Sequence, residues 1–354
     1  MTADEAFSHV TDAPLAGLGA VPVEDVYGYM DHLLDRRASP YDLYLRWEAQ
    51  QWSTQDLDFA EDRVHWRMLD DGFRDELMRP FSLFFMGEQL VADTLAPFVT
   101  AAPTEEERLF LATQLVDEAR HAVFFARFFH EVLGAPEGLG RALTFARTED
   151  VPGFDRIFRT DLTAIADHLR ADPGDYGMFV EGITLYHMIV EGMLALTGQM
   201  FLLRLFRENG MMPAFTAGFT AVARDESRHV NYGVWALRRA CTRPDLVERI
   251  ADAVIRWAVP AAEILEAPDR EWILPPDVTP EQLQLDPREV RNFSTRSLGK
   301  RLRAAGIPEA AWVRIEAGLR AAFEDCTRRY EERFGEHPVR WFERRDAEAR
   351  GAGR

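Results

Sequence analysis

Two five-residue segments of this chain share one pattern, Asp117-Glu118-Ala119-Arg120-His121 and Asp225-Glu226-Ser227-Arg228-His229. On a helix, residues three apart project from nearly one face, so Glu118 with His121, and Glu226 with His229, can each grip one metal ion. A single Glu-x-x-His is a common accident. Two copies that also share the preceding aspartate and the intervening arginine are not. Two more glutamates stand alone in apolar runs, Glu88 between Phe84 and Val91 and Glu191 between Met188 and Leu194. Burying an unpaired carboxylate is costly, so both need a compensating charge. The order is Glu, then Glu-x-x-His, twice over, which sums to four carboxylates and two imidazoles. Hard oxygen donors with one imidazole per ion suit iron or manganese and leave positions open for dioxygen.

Such a set converges only if four helices present it to a common core. The first is predicted to follow Arg79-Pro80 and run through Glu88 to about Pro97, with proline in its first turn. A second opens at Thr104, where Thr104 and Glu107 have capping-box spacing, and continues to Gly134. The third spans Asp175 to Gly210, and the fourth runs from Pro213 to just before Pro244. The fold class is therefore all-α, a four-helix bundle core with additional flanking helices in one domain, 1–354. Residues 1–70 read as an N-terminal arm, 71–243 as the metal-binding core and 244–354 as C-terminal helices. The proline-containing stretch from Pro268 to Pro287 is expected to be a long surface connection. Between Met178 and Phe206 the third helix is apolar nearly all round. Glu181, His187 and Glu191 interrupt it, which favours a helix buried in a soluble bundle over a membrane span.

The aspartate before each Glu-x-x-His is placed to accept a hydrogen bond from a ligand histidine across the bundle, Asp225 being the stronger candidate. Arg120 and Arg228 would either pair with these aspartates or sit in surface salt bridges. The 354 residues carry 59 acidic against 41 basic side chains, a formal charge of -18. That balance argues against nucleic acid or an anionic membrane as partner. Cys241 and Cys326 are too few for a disulfide framework, and no export signal opens the chain, so a cytoplasmic location is expected.

Over roughly Arg46 to Arg239 these motifs resemble the ferritin-like superfamily, and within it the R2 small subunits of ribonucleotide reductase. Trp47-Glu48-Ala49-Gln50-Gln51-Trp52, leading to Asp58, is similar to the N-terminal segment of R2 proteins, and the resemblance implies that Trp52 hydrogen-bonds to Asp225. Radical-tyrosine reductases carry a tyrosine four residues after the first ligand histidine. Here that residue is Phe125, as in reductases that use a Mn/Fe pair. Reductase small subunits generally end in a flexible tail, often with a tyrosine, that docks the large subunit, whereas here the last tyrosine is Tyr330 and the sequence ends Arg-Gly-Ala-Gly-Arg.

Two further positions resemble the R2-like ligand-binding oxidases. Those proteins join, by an ether bond, a valine three residues after the first Glu ligand to a tyrosine five residues before the third. The corresponding residues are Val91 and Tyr186. This resemblance implies manganese with iron, or two irons, as cofactor. Glu88, Glu118 and His121 would hold the manganese, Glu191, Glu226 and His229 the iron, and Glu118 would bridge. It also implies reaction with O2, a long-chain fatty acid beside the metals, and a homodimer. Val91 lies one turn from Glu88 on the same face. Tyr186 lies about 7.5 Å along the axis from Glu191 and roughly 140° round an ideal helix, so only a distorted turn would bring it to the metals. The apolar wall from Phe179 to Phe206, with Met188, Met193 and Met200, is expected to line the ligand cavity. Three functions are consistent with these residues: an O2-activating oxidase, a tyrosine-less reductase small subunit, and a non-enzymatic ferritin-like iron binder.

Overall fold

The computed structural model describes residues 5–146, 151–271 and 286–352, and within these every regular element is helical. The main helices are α1 (Val23–Arg36), α2 (Pro40–Ala49), α3 (Asp71–Ala101), α4 (Glu105–Glu131), α5 (152–171), α6 (Tyr176–Glu208), α7 (Pro213–Ala240), α8 (Pro244–Glu266), α9 (Pro287–Ala305) and α10 (Glu309–Phe334). Helices α3, α4, α6 and α7 form the bundle. The surface connection expected between Pro268 and Pro287 falls mostly outside the described residues.

Helix α3 starts nine residues earlier than the proline signal implied. The Asp70 side chain caps it by accepting the Phe73 N–H at 2.9 Å, and Pro80 lies inside the helix. An interior proline costs about 3 kcal/mol. Leu77, Met78, Phe81 and Phe85 continue one buried stripe through it, and at about 1.5–3 kcal/mol per fully buried large apolar side chain that stripe offsets the cost. Helix α4 begins as expected, with the Thr104 hydroxyl accepting the Glu107 N–H.

Helix α6 is the one described helix long and apolar enough to cross a membrane, and it lies mostly buried within the bundle. Glu181 on it is paired with Arg249 and Arg256 of α8. Its middle, Thr184–Ala195, is wound as a π-helix. A Cβ added to Gly182 would strike Phe98, and one added to Gly198 would strike Phe84. Helices α3 and α6 are therefore antiparallel, with Glu88 and Glu191 at about the same level.

The N-terminal arm is tied into the bundle. Asp62 accepts the N–H groups of Ala214 and Phe215 at 3.0 and 2.6 Å, capping α7 from another segment of chain. Buried Arg224 on α7 reaches back to the carbonyl oxygens of Val10, Ala13 and Gln50. On the opposite side, Ser297 of α9 donates to the Gly192 carbonyl at 2.7 Å within the π segment.

Candidate metal centre

All six residues singled out by spacing meet in the bundle core, each at least 93% buried. They form two overlapping donor groups, Glu88 with Glu118, His121 and Glu226, and Glu118 with Glu191, Glu226 and His229. Within each group the donor atoms lie within 4.8 Å of one another. Glu118 belongs to both, as the resemblance implied. Glu226 does too, although it was assigned to the second position alone; its carboxylate is 3.8 Å from His121 Nδ1 and 3.3 Å from His229 Nδ1.

The two imidazoles have the same orientation. His121 turns Nδ1 toward Glu88 at 3.2 Å, and His229 turns Nδ1 toward Glu191 and Glu226, both at 3.3 Å. Each Nε2 faces the aspartate of the other motif, His121 to Asp225 at 3.2 Å and His229 to Asp117 at 3.1 Å. An Nε2–H donated to a carboxylate fixes the tautomer and leaves the Nδ1 lone pair directed into the centre.

Trp52 Nε1 donates to Asp225 at 2.8 Å, and its counterpart is Trp47, which donates to Asp117 at 2.9 Å. Trp47 was overlooked, though the repeat of the Asp-Glu-x-Arg-His motif called for a second donor. Between the two aspartates lies Arg228, fully buried, donating to Asp225 at 2.6 Å, Asp117 at 3.0 Å and Gln50 at 2.7 Å. A surface salt bridge is thereby excluded for Arg228. Arg120 pairs with Asp117 and stacks on the Trp52 ring at 5.2 Å. Gln114, one turn before Glu118, also escaped notice; it donates to Glu191 at 2.9 Å and meets buried His187 at 3.1 Å.

Tyr186 is fully buried and donates its hydroxyl to Glu118 at 2.8 Å. The ideal-helix angle placed it elsewhere, and the π segment supplies the reason. With hydrogen bonds running from i to i+5, residues five apart stack on one side, so Tyr186 and Glu191 face the same centre. Burial, then the Glu118 charge, raises the Tyr186 phenol well above its ordinary value.

Whether metal ions fit can be judged from the donor set itself. Glu118 Oε2, Glu191 Oε2, Glu226 Oε2 and His229 Nδ1 are buried and make no hydrogen bond among the described residues. Such orphaned atoms are costly unless something binds them, and carboxylates facing imidazole lone pairs are a donor set for two divalent ions. Without metal, protons take that place. Burial pushes Glu88 up to about 8 and Glu191 well above the ordinary carboxylate range, the latter further raised by Glu226. His121 and His229 are held well above the usual imidazole range; burial opposes this, but the surrounding carboxylates win. Metal binding must displace these protons. Calorimetry of anaerobic Mn(II) binding in buffers of different ionisation enthalpy should show proton release at pH 7. The Glu88 contribution should fade above pH about 8, and apparent affinity should rise with pH as the protons on Glu88, Glu191 and the two imidazoles become easier to displace. Affinity independent of pH between 6 and 9 would contradict this protonation pattern.

A cavity of about 190 Å³ opens onto the carboxylates. Helix α3 lines it with Pro80, Leu83, Phe84, Gly87 and Val91, and α6 with Val190, Leu194, Ala195 and Gly198. Phe154 and Phe158 of α5 and Ile264 and Leu265 of α8 close it. Part of the expected apolar wall of α6 thus lines the cavity, but Met188, Met193 and Met200 do not; they are buried elsewhere in the core. Phe125 is fully buried, stacked on Phe84 and Phe85.

Residues 36–310 match the family described as ribonucleotide reductase, small chain. Among solved structures, the R2-like ligand-binding oxidase of Sulfolobus acidocaldarius is 25% identical with a TM-score of 0.61, over 81% of this chain and 93% of that one. A valine-to-isoleucine variant of an R2-like ligand-binding oxidase, with anaerobically reconstituted Mn/Fe cofactor, is 21% identical with a TM-score of 0.64, over 76% of this chain and 94% of that one. The same variant with aerobically reconstituted cofactor gives 20% and 0.65 over the same shares. The chain belongs to the ribonucleotide reductase small-chain family, as a metal-dependent oxidoreductase with the ferritin-like R2 fold and a buried Glu/His cluster able to hold two metal ions.

Proposed function

We propose that the protein is an R2-like ligand-binding oxidase that activates O2 at a dinuclear centre. Manganese would be held by Glu88, Glu118 and His121 and iron by Glu191, Glu226 and His229, or iron at both. The bound metals would supply the electrons for dioxygen reduction. The chain supplies the rest. Asp117 and Asp225 hold the two imidazoles in one tautomer, the surrounding apolar helices exclude water, and Glu118 stands 2.8 Å from the Tyr186 hydroxyl, where it can take the phenolic proton. That contact carries the reading, because a tyrosine wound into a carboxylate cluster by a π turn is placed for oxidation. In the proposed product Tyr186 oxygen is bonded to Val91, which lines the same cavity. Forming the ether removes one hydrogen from each residue, and the two electrons and two protons pass to dioxygen. Peptide mass spectrometry after aerobic loading with iron and manganese is expected to find the Val91 and Tyr186 peptides joined, their summed mass reduced by two hydrogen atoms. Separate, unmodified peptides would favour the tyrosine-less reductase subunit, which the family match and Phe125 also accommodate.

The cavity, apolar and open at the carboxylates, suits a fatty-acid-like ligand. We also assign a homodimer and a cytoplasmic location, the latter resting on the two unpaired cysteines. Supporting the dimer, Leu109, Val116 and Val123 on α4 are 45, 51 and 41% exposed at seven-residue spacing, with exposed Ala112 and Ala119 between them. That is an a/d seam that an identical helix can fill about a two-fold axis, the alanines allowing close approach. Light scattering should find a dimer for the wild type and a monomer for Val116→Arg; a Val116→Arg dimer would remove α4 as the interface.

A further inference from the structure

The cavity that reaches the carboxylates has a cation at its other end. Arg79 lies on the cavity face of α3, nine residues before Glu88, which is about 13.5 Å along the axis at ~1.5 Å per residue. Between the two, the walls are apolar, with Leu83, Phe84, Phe158 and Leu194 prominent. A guanidinium has five N–H donors. One hydrogen bond is made here, from Nη2 to the Ile264 carbonyl at 3.1 Å. Arg79 forms no ion pair among the described residues, and nearby Glu76 is taken by Arg270 at 2.7 Å. Burial lowers the Arg79 pKa to about 10, which still leaves it charged at neutral pH. Holding one carbonyl near the end of α8 accounts for one donor. It does not account for the remaining donors of a half-buried guanidinium on the wall of an otherwise largely apolar cavity, which are free to meet an anionic group.

We propose that the ligand of this cavity is a chain molecule with an anionic group at each end, one at the metal centre and the other gripped by Arg79. An extended chain covers about 3.5 Å per three bonds, so the axial rise between the two residues matches roughly eleven bonds, the span of dodecanedioate, which serves as the probe. The inference rests on the cavity being a ligand site. It adds a specificity that an apolar channel alone would lack, since a second carboxylate is penalised in such a channel unless a cation receives it.

The test is calorimetric titration of the Mn(II)-loaded protein, without oxygen, with dodecanedioate, its monomethyl ester and dodecanoate. Wild type should bind dodecanedioate at least about tenfold more tightly than either of the others, the increment of one charge-assisted hydrogen bond. Arg79→Gln should lose that preference while its affinity for dodecanoate is kept or improved, and Arg79→Lys should retain part of it. Equal binding of the three ligands to wild type, or a preference that survives in Arg79→Gln, would reduce Arg79 to a helix cap and leave the cavity reading intact. Failure of all three to bind would overturn both. The comparison within wild type decides the matter even if a substituted protein does not fold.

Discussion

Glu118→Ala is expected to strip both metal positions, where Glu88→Ala strips one. Glu118 belongs to both donor groups, a place it shares with Glu226, and Gln114 one turn away is already engaged with Glu191 and His187. Loss of a mere hydrogen-bond partner of a ligand weakens metal affinity ten- to a hundredfold, so loss of a shared ligand should weaken each position on the order of a hundredfold or more. After desalting, elemental analysis should find close to two ions per chain in wild type, about one in Glu88→Ala and almost none in Glu118→Ala. Thermal stability gives a second reading. At a metal concentration a hundred times Kd, each bound ion adds about 2.7 kcal/mol to wild type, and Glu118→Ala should melt at one temperature with or without metal. Two ions retained in Glu118→Ala would refute the donor grouping.

The second large effect lies outside the ligands. Replacing Arg228 with Met keeps the volume but leaves Asp117 and Asp225 buried, close together and without their shared cation. Breaking a buried ion pair from one side costs about 3–5 kcal/mol, or roughly 4–7 °C in Tm for a chain of this size. Asp225 is now held well below the usual carboxylate range; burial opposes this, but Arg228, the largest of the opposing causes, outweighs it together with His121 and Arg120. That depressed pKa contributes stability above the unfolded value near 4, lost as pH falls through the folded value. In Arg228→Met the buried Asp225 can take a proton at mildly acidic pH, so the deficit against wild type should shrink between pH 8 and pH 5. A deficit equal at both pH values would mean that packing, not charge, is what Arg228 contributes. Adding Asp117→Asn and Asp225→Asn should recover much of the stability while loosening both histidines.

The metal centre was legible because helical periodicity converts spacing directly into direction. Glu118 with His121 and Glu226 with His229 had to share a face whatever surrounded them. Glu88 and Glu191 stood out by chemistry, as charges with no local reason to be buried. What escaped was set by packing. Spacing on an ideal helix turned Tyr186 away from the metals, and only the resemblance pointed to it, because one extra residue per hydrogen-bonded turn between Thr184 and Ala195 leaves no mark in an apolar run. The methionines of α6 were assigned to the cavity because that run is apolar nearly all round. Pro80 resembled a helix start because proline is common there, and only the buried stripe on both sides of it showed otherwise. Trp47 and Gln50 act across segments of chain, and nothing local distinguished them from ordinary members of a short amphipathic helix.

The exchange of aspartates between the motifs also bears on how the protein is made. His121 leaves the ribosome with Glu88 and Glu118 close by, but Asp225, which orients its ring, is synthesised about a hundred residues later. His229 depends in the same way on Asp117 from the earlier half. A nascent first helix pair therefore carries half of the ligands without the brace that aims its imidazole. Stable capture of an ion waits for the second pair to dock, which delays metal selection until the bundle, and the discrimination its geometry allows, is complete.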